Sequence, residues 1–291
     1  MNNLFEIKNL RCSYDKHYCE GKSKVVLEIE KLLIPRGKKV FIVGESGIGK
    51  STILETLGMM NNTIVPDKDV VFNFYTKDGK ATNLKELWSK GCDKELSDFR
   101  LMHYSFIFQS TNLMRNFTAY ENIAFTRMLQ GYSMQESFQR AKNVLEELGL
   151  GHISEERMAQ ELSGGQQQRL AFARAIIPDF TVLFGDEPTG NLDVENAERV
   201  MRILAKKLDE DSNSSAVIVS HDMHLAIEFA DIIIKIRKAE RESKIAAGEK
   251  ESYGIINDNC VYYPTDETRT IWTNGIDEYK NADFEIFLRK K

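Results

Sequence analysis

Residues Gly44-Glu45-Ser46-Gly47-Ile48-Gly49-Lys50-Ser51-Thr52 carry the spacing GxxxxGK[ST]. They follow the apolar run Lys39–Val43 directly and precede Ile53-Leu54-Glu55-Thr56-Leu57, which reads as helix. Glycines at this spacing let successive backbone N–H groups turn inward as an anion cradle, and the following helix N-terminus adds partial positive charge. Phosphate is the chemistry that fits, so Gly44 to Thr52 is read as an ATP-binding loop. Lys50 is expected to reach the β- and γ-phosphates, and the Ser51 hydroxyl to ligate a magnesium ion.

Two further groups qualify. Asp186 and Glu187 close the apolar run Thr181–Phe184, where one carboxylate can enter the shell of the magnesium ion and its neighbour can position or deprotonate a water. An Asp-Glu pair after a strand is otherwise a solvated turn; the phosphate loop in the same chain favours the chemical reading, with Asp186 for the metal and Glu187 for the water. The third group, Leu162-Ser163-Gly164-Gly165-Gln166-Gln167-Gln168-Arg169, leads into the helix former Leu170–Ile176 with Ser163 placed as N-cap. It is either a second phosphate-facing helix N-terminus or a plain glycine-bearing turn.

The elements that must position these residues are legible as apolar runs. Lys39–Val43, Ser105–Phe108, Thr181–Phe184 and Ala216–Val219 read as buried strands followed by Gly44, Gln109, Gly185-Asp186-Glu187 and Ser220-His221. Ligands in open parallel sheets sit beyond the carboxyl ends of strands, so the recurrence predicts one shared site. Thr118 to Glu121 fits a capping box, and Phe138, Ala141, Val144, Leu145 and Leu148 follow helical spacing. Leu4–Ile7 and Val26–Ile29 alternate as antiparallel strands do. Lys77-Asp78-Gly79-Lys80 reads as a turn. The charged run Lys235 to Glu251 reads as a solvated helix or linker, and Gly254 to Lys291, with its aromatics, as a small folded extension.

The 291 residues have a formal net charge of −5 and a pI near 5.7, which gives no global basic field for a nucleic-acid partner. No stretch is apolar for the ~18 residues of a membrane span, and the first residues do not resemble a signal peptide, so a cytoplasmic location is expected. Cys12, Cys19, Cys92 and Cys260 lack CxxC spacing and are expected as reduced thiols. His17, His103, His152 and His224 are read as surface or packing residues.

The phosphate loop, LSGGQ, a strand ending in Asp-Glu-Pro and a later Ser-His after a strand, in that order from Leu4 to Ile236, resemble the nucleotide-binding subunit of ABC proteins. The resemblance implies an α/β fold: a RecA-like P-loop ATPase core with an antiparallel β subdomain and an α-helical subdomain. Residues 1–236 would form this ATPase domain, with the helical part at about 110–175, and residues 237–291 a linker and C-terminal extension. It implies further that Tyr14 stacks on adenine, that Gln109 senses magnesium and γ-phosphate, and that His221 contacts the γ-phosphate. Asn191-Leu192-Asp193 would form the subunit-contact loop. Such subunits close head to tail, so Ser163, Gly164, Gly165 and Gln166 would serve ATP held by the other subunit. A homodimer is the first expectation, and pairing with a related chain stays open.

Within the family, Asp186 to Asp193 together with Leu162 to Arg169 is similar to the lipoprotein-release, macrolide-export and cell-division branch. That implies a subunit of a transporter or of a complex that transmits mechanical motion across the membrane (mechanotransmission), with a separate permease-like membrane subunit contacted through the region around Gln109 to Tyr132, and a place on the cytoplasmic face of the membrane. A soluble ABC-type ATPase acting on nucleic acid or ribosomes is the alternative. The long coiled coil or second cassette such proteins carry is not found here.

Overall fold

Alternating burial organises the first strands. In β1 (Asn3–Cys12) the side chains of Phe5, Ile7, Leu10 and Cys12 are buried, and in β2 (Leu27–Pro35) those of Leu27, Ile29, Leu32 and Ile34. The two strands pair antiparallel, as the alternation predicts. The structure, a computed structural model, describes residues 3–15, 23–242 and 250–290. It divides into two units, Met1–Leu96 with Val219–Lys291, and Ser97–Ile218.

Continuing along the first unit, β3 (Lys39–Val43) is buried at all five positions and runs through the glycine loop into α1 (Lys50–Leu57). There follow β4 (Val71–Tyr75), β5 (Ala81–Asn83) and α2 (Leu84–Ser89). The expected turn between β4 and β5 is present, with Thr76 N donating to Lys80 O at 2.9 Å and Gly79 at φ 81°. Helix α3 (Asp93–His103) leads into the second unit.

That unit comprises β6 (Tyr104–Ile107), α4 (Ala119–Leu129), α5 (Met134–Glu147), α6 (Gly164–Ile176), β7 (Val182–Asp186), α7 (Val194–Glu210) and β8 (Ser215–Val219). Its strands lie in the order β8-β7-β6, with β6 and β7 parallel. Three of its helices begin on capping boxes: Thr118 with Glu121, Ser133 with Glu136, and Ser163 with Gln166. Each box satisfies first-turn amides that no intrahelical partner can reach. The C-terminal end of α6 is held by Lys207 of α7, whose ammonium donates to the carbonyls of Ile176 and Pro178. Burial pushes that ammonium down to about 8.

The chain then returns to the first unit with α8 (Met223–Phe229), β9 (Ile232–Lys235), β10 (Arg237–Glu242), β11 (Lys250–Ile256), β12 (Val261–Pro264), β13 (Ile271–Thr273), β14 (Glu278–Lys280) and α9 (Asn281–Arg289). One sheet has the order β10-β11-β2-β1-β4-β5, and within this unit a second series runs β14-β13-β12-β9-β3.

The charged run from Lys235 to Glu251 is therefore strand where its residues are described, not the helix or linker its composition suggested. Its charges are matched across the hairpin. Arg241 lies opposite Glu251 and bonds it at 3.1 Å, and Lys250 approaches Glu240 at 3.7 Å; opposite charges so placed stabilise a strand pair. Strand β11 also pairs in parallel with β2, and strands β10 to β14 take places in the sheets of the first unit. Cys12, Cys92 and Cys260 are free thiols. Burial pushes the Cys12 thiol up to about 11 despite its contact with Thr56 at 3.7 Å. Cys19 and His17 lie outside the described residues.

The extension has its own aromatic core: Trp272 is fully buried and stacks on Phe284 with ring centroids 5.4 Å apart, and Tyr262 meets Phe284 at 5.1 Å. Trp272→Ala is expected to destabilise the protein by about 3–5 kcal/mol, read as a lowered urea midpoint; an unchanged midpoint would show that this core contributes nothing to the unit.

Candidate functional site

In the first unit, the turn out of β3 depends on Gly47 (φ 76°) and Gly49 (φ 108°), backbone angles that side chains resist. Gly49 is the N-cap of α1 and offers no side-chain acceptor, and the first turn of α1 holds no acidic residue. The helix thus presents its first-turn amides without a carboxylate competing for them. Lys50 is 6% exposed, and its Nζ donates to Gly44 O at 2.9 Å and Glu45 O at 2.7 Å. The ammonium is held over the loop it belongs to.

His221 stands beside this loop. Ser220 N donates to Ile42 O at 3.3 Å, and Ser220 Oγ accepts from Asp222 N at 3.0 Å. Asp222 in turn caps α8 through Leu225 N at 3.1 Å. These bonds fix the turn that carries His221, which lines a cleft of about 1190 Å³ with Gly44, Glu45, Ser46 and Lys235. Tyr14 is half-exposed. Its hydroxyl donates to Glu55 Oε2 at 3.0 Å and lies 3.1 Å from Thr52 Oγ1, which leaves a flat face open next to α1.

In the second unit, β7 delivers Asp186 and then Glu187, whose φ of 50° places a non-glycine residue in the left-handed region. Such conformations persist where the surroundings impose them and cluster at functional sites. Here Gly190 N donates to Glu187 O at 3.1 Å, and Gln109 Nε2 donates to Glu187 Oε2 at 3.4 Å. A Cβ on Gly185 would meet Pro188 at 3.4 Å, an ordinary contact, so the strand end does not require glycine there.

The Ser163 side chain accepts from Gln166 N at 3.4 Å, while Gln166 Oε1 accepts from Ser163 N at 2.9 Å. Gly164 and Gly165 have nothing within 4 Å of where a Cβ would stand, and neither has a positive φ. The fold of this chain alone does not call for glycine there. Asn191, Leu192 and Asp193 lead into α7, with Leu192 N donating to Thr189 O at 3.0 Å. Asp193 caps α7, and the Asn196 amide that it accepts at 2.9 Å holds its carboxyl below the usual range.

Within each unit the expected residues therefore gather: the phosphate loop with His221 and Tyr14 in one, Gln109 with Glu187 in the other. Several supporting residues were invisible to sequence reasoning. Gln168, almost fully buried, donates to Pro188 O at 3.1 Å and so ties α6 to the turn after Glu187. Arg174 donates to Thr111 O at 2.9 Å and Asn112 O at 2.7 Å, tying the same helix to the segment after Gln109. Only helical phase could have marked Gln168 within its run of three glutamines. His152, expected as an ordinary residue, lies 3.4 Å from Gln166; His103 packs on Phe99 at 4.9 Å and contacts Thr181.

Comparison with known proteins bears on this geometry. Residues 27–190 match the family model described as ABC transporter. The chain is 38% identical over 239 residues to the macrolide export ATP-binding/permease protein MacB of Aggregatibacter actinomycetemcomitans, an alignment that covers 82% of this chain and 34% of that protein. The chain thus spans about a third of that relative's length. It is 35% identical over 246 residues to the lipoprotein-releasing system ATP-binding protein LolD of Myxococcus xanthus (strain DK1622), covering 84% of this chain and 97% of that one. Among solved structures it resembles dimeric MJ0796, a bacterial ABC transporter cassette, with a TM-score of 0.67, 30% identity and coverage of 85% and 97%. The same cassette in a dimeric post-hydrolysis state bound to ADP and Pi gives a TM-score of 0.64 at 28% identity, with the same coverage. With its glycine loop, LSGGQ helix and Asp-Glu-Pro strand end inside this match, the chain belongs to the ABC transporter family, as an ATP-binding cassette.

Proposed function

We propose that the protein binds Mg-ATP in a head-to-tail dimer and hydrolyses it to drive a separate membrane permease. The observation that carries this reading is the open amide cradle at α1 with the buried Lys50 ammonium held across it. Phosphoryl transfer to water needs little covalent help, so catalysis rests on positioning and charge. Lys50 and the loop amides receive the phosphates. Ser51 and Asp186 are the residues that would hold a magnesium ion accompanying ATP, which would supply positive charge to the phosphates. Glu187 aligns and deprotonates the attacking water, Gln109 orients Glu187, His221 contacts the γ-phosphate, and Tyr14 stacks on adenine.

The bare glycines of the signature support the dimer. A chain that leaves Gly164 and Gly165 uncrowded keeps room for a phosphate presented by a second copy, whose loop Asn191–Asp193 contributes to the same closure. A membrane partner is supported by the exposed apolar side chains Phe125, Met128 and Leu129 on α4 and by Leu101 and Met102 on α3. No helix among the described residues is long and apolar enough to cross a membrane. The protein works at the cytoplasmic face of a membrane in this reading, which is supported by the export and lipoprotein release named for two relatives.

Glu187→Gln is expected to retain ATP binding and to lose about 10²-fold or more of turnover, measured as phosphate release at saturating Mg-ATP; wild-type turnover would remove Glu187 from the water's path. Ser163→Arg is expected to abolish ATP-dependent dimerisation of the Glu187→Gln protein in light scattering, and unchanged association would contradict the shared site. Purification of Glu187→Gln with Mg-ATP from detergent-solubilised membranes, with Lys50→Ala as control, should recover a permease by mass spectrometry. Recovery of ribosomes or nucleic acid in its place would overturn the membrane assignment.

A further inference from the structure

Gly254 in β11 is required by space rather than by backbone angle. It is not among the residues of positive φ, yet a Cβ built on it would lie 2.1 Å from the carbonyl oxygen of Ile48, 2.9 Å from Ile236 Cγ2 and 3.1 Å from Leu27 Cδ1. Ile48 is the middle of the phosphate loop. Nothing but hydrogen fits between that loop and the C-terminal strand.

The other walls of the loop are of the same kind. Ile236 N donates to Val43 O at 2.9 Å, and the Ile236 carbonyl would lie 3.3 Å from a Cβ on Gly44. Leu27 Cβ would lie 3.3 Å from a Cβ on Gly49. Strand β11 is itself pinned to this wall: Gly254 N donates to Val26 O at 2.9 Å, and Gly254 stands opposite Leu27 in the parallel pairing. On its other side Gly254 stands opposite Lys238 in the pairing with β10.

The peptide unit joining Ile48 to Gly49 is planar, so its carbonyl and its N–H move together. We propose that Gly254 is a positioning residue for the nucleotide: by closing on the Ile48 carbonyl, β11 sets the plane of the Ile48–Gly49 peptide and aims the Gly49 amide at phosphate. Strand β11, and not the rest of the C-terminal extension, is then part of the nucleotide-binding machinery, acting through the loop without touching ligand. The inference rests on the phosphate-loop reading given above. A side chain at 254 rotates or displaces that peptide and weakens nucleotide binding, while the groups that act on the water are left in place.

Gly254→Ala is therefore expected to raise both the Kd for a fluorescent ATP analogue and the KM for ATP about tenfold, with kcat at saturation changed by less than about threefold, the pattern of lost uniform binding. Ile256→Ala, which loosens β11 against β2 without adding a clash, should raise KM by about threefold. Trp272→Ala, in the same extension but far along the chain from β11, should lower the thermal midpoint and leave KM unchanged. An unaltered Kd in folded Gly254→Ala, or equal KM values in Ile256→Ala and Trp272→Ala, would overturn the proposal; if Gly254→Ala does not fold, the latter pair decides. Lys50→Ala separates the two levels. Lost affinity there with none in Gly254→Ala rejects the brace alone, whereas full affinity in Lys50→Ala rejects the phosphate loop itself.

Discussion

The first unit depends on one backbone constraint: a fully buried strand must become a helix within six residues while its amides stay available to an anion. Only a glycine-rich path does this, and Gly47 and Gly49 take up the angles that other residues resist. A loop so free of side chains has little packing of its own. It is shaped from outside by Leu27 at the start of β2, by Ile236 just after β9 and by Gly254 of β11. Lys50, bonded to Gly44 and Glu45 carbonyls, draws the loop around its own charge. His221 joins through the same strand, because the turn that carries it is bonded to Ile42 of β3.

In the second unit α6 plays the organising part. Its N-terminus bears the Ser163–Gln166 box, its buried face sends Gln168 to Pro188, and its later turns send Arg174 to Thr111 and Asn112. The helix is stopped at its far end by Lys207. One helix thus bonds to the signature turn, the turn after Glu187 and the segment after Gln109. Under the proposed function, closure at the signature would be felt at the catalytic carboxylate and at the segment leading to α4 through this one helix.

The C-terminal segment shows how composition misleads when charges have fixed partners. Residues 237–242 and 250–256 are rich in Lys, Arg and Glu, which in isolation describes a solvated surface. As paired strands they place Arg241 against Glu251, and the same ladder brings Gly254 to the phosphate loop. Farther on, Lys235 donates to the carbonyls of Phe287 and Lys290 at 2.6 and 3.0 Å and sits 4.0 Å over the Phe287 ring, so the last helix is tied to the end of β9.

What the amino-acid sequence determined by itself was whatever is closed within a few residues. The glycine loop, the capping box at Thr118, the N-cap at Ser163 and the four buried runs were legible because their hydrogen bonds and burial periods are local; β3 spans the residues its apolar run marks, and β6, β7 and β8 differ from theirs only at the ends. Tertiary structure decided what depends on a partner far along the chain. The strand character of the charged run required its cross-strand charges and the edge of β2, the burial of Gln168 required Pro188, and the need for glycine at 254 exists only because the Ile48 carbonyl, about two hundred residues earlier, occupies the place of its side chain. Hydrogen-bond spacing can be read along a chain, whereas excluded volume is known only once the chain has folded back on itself.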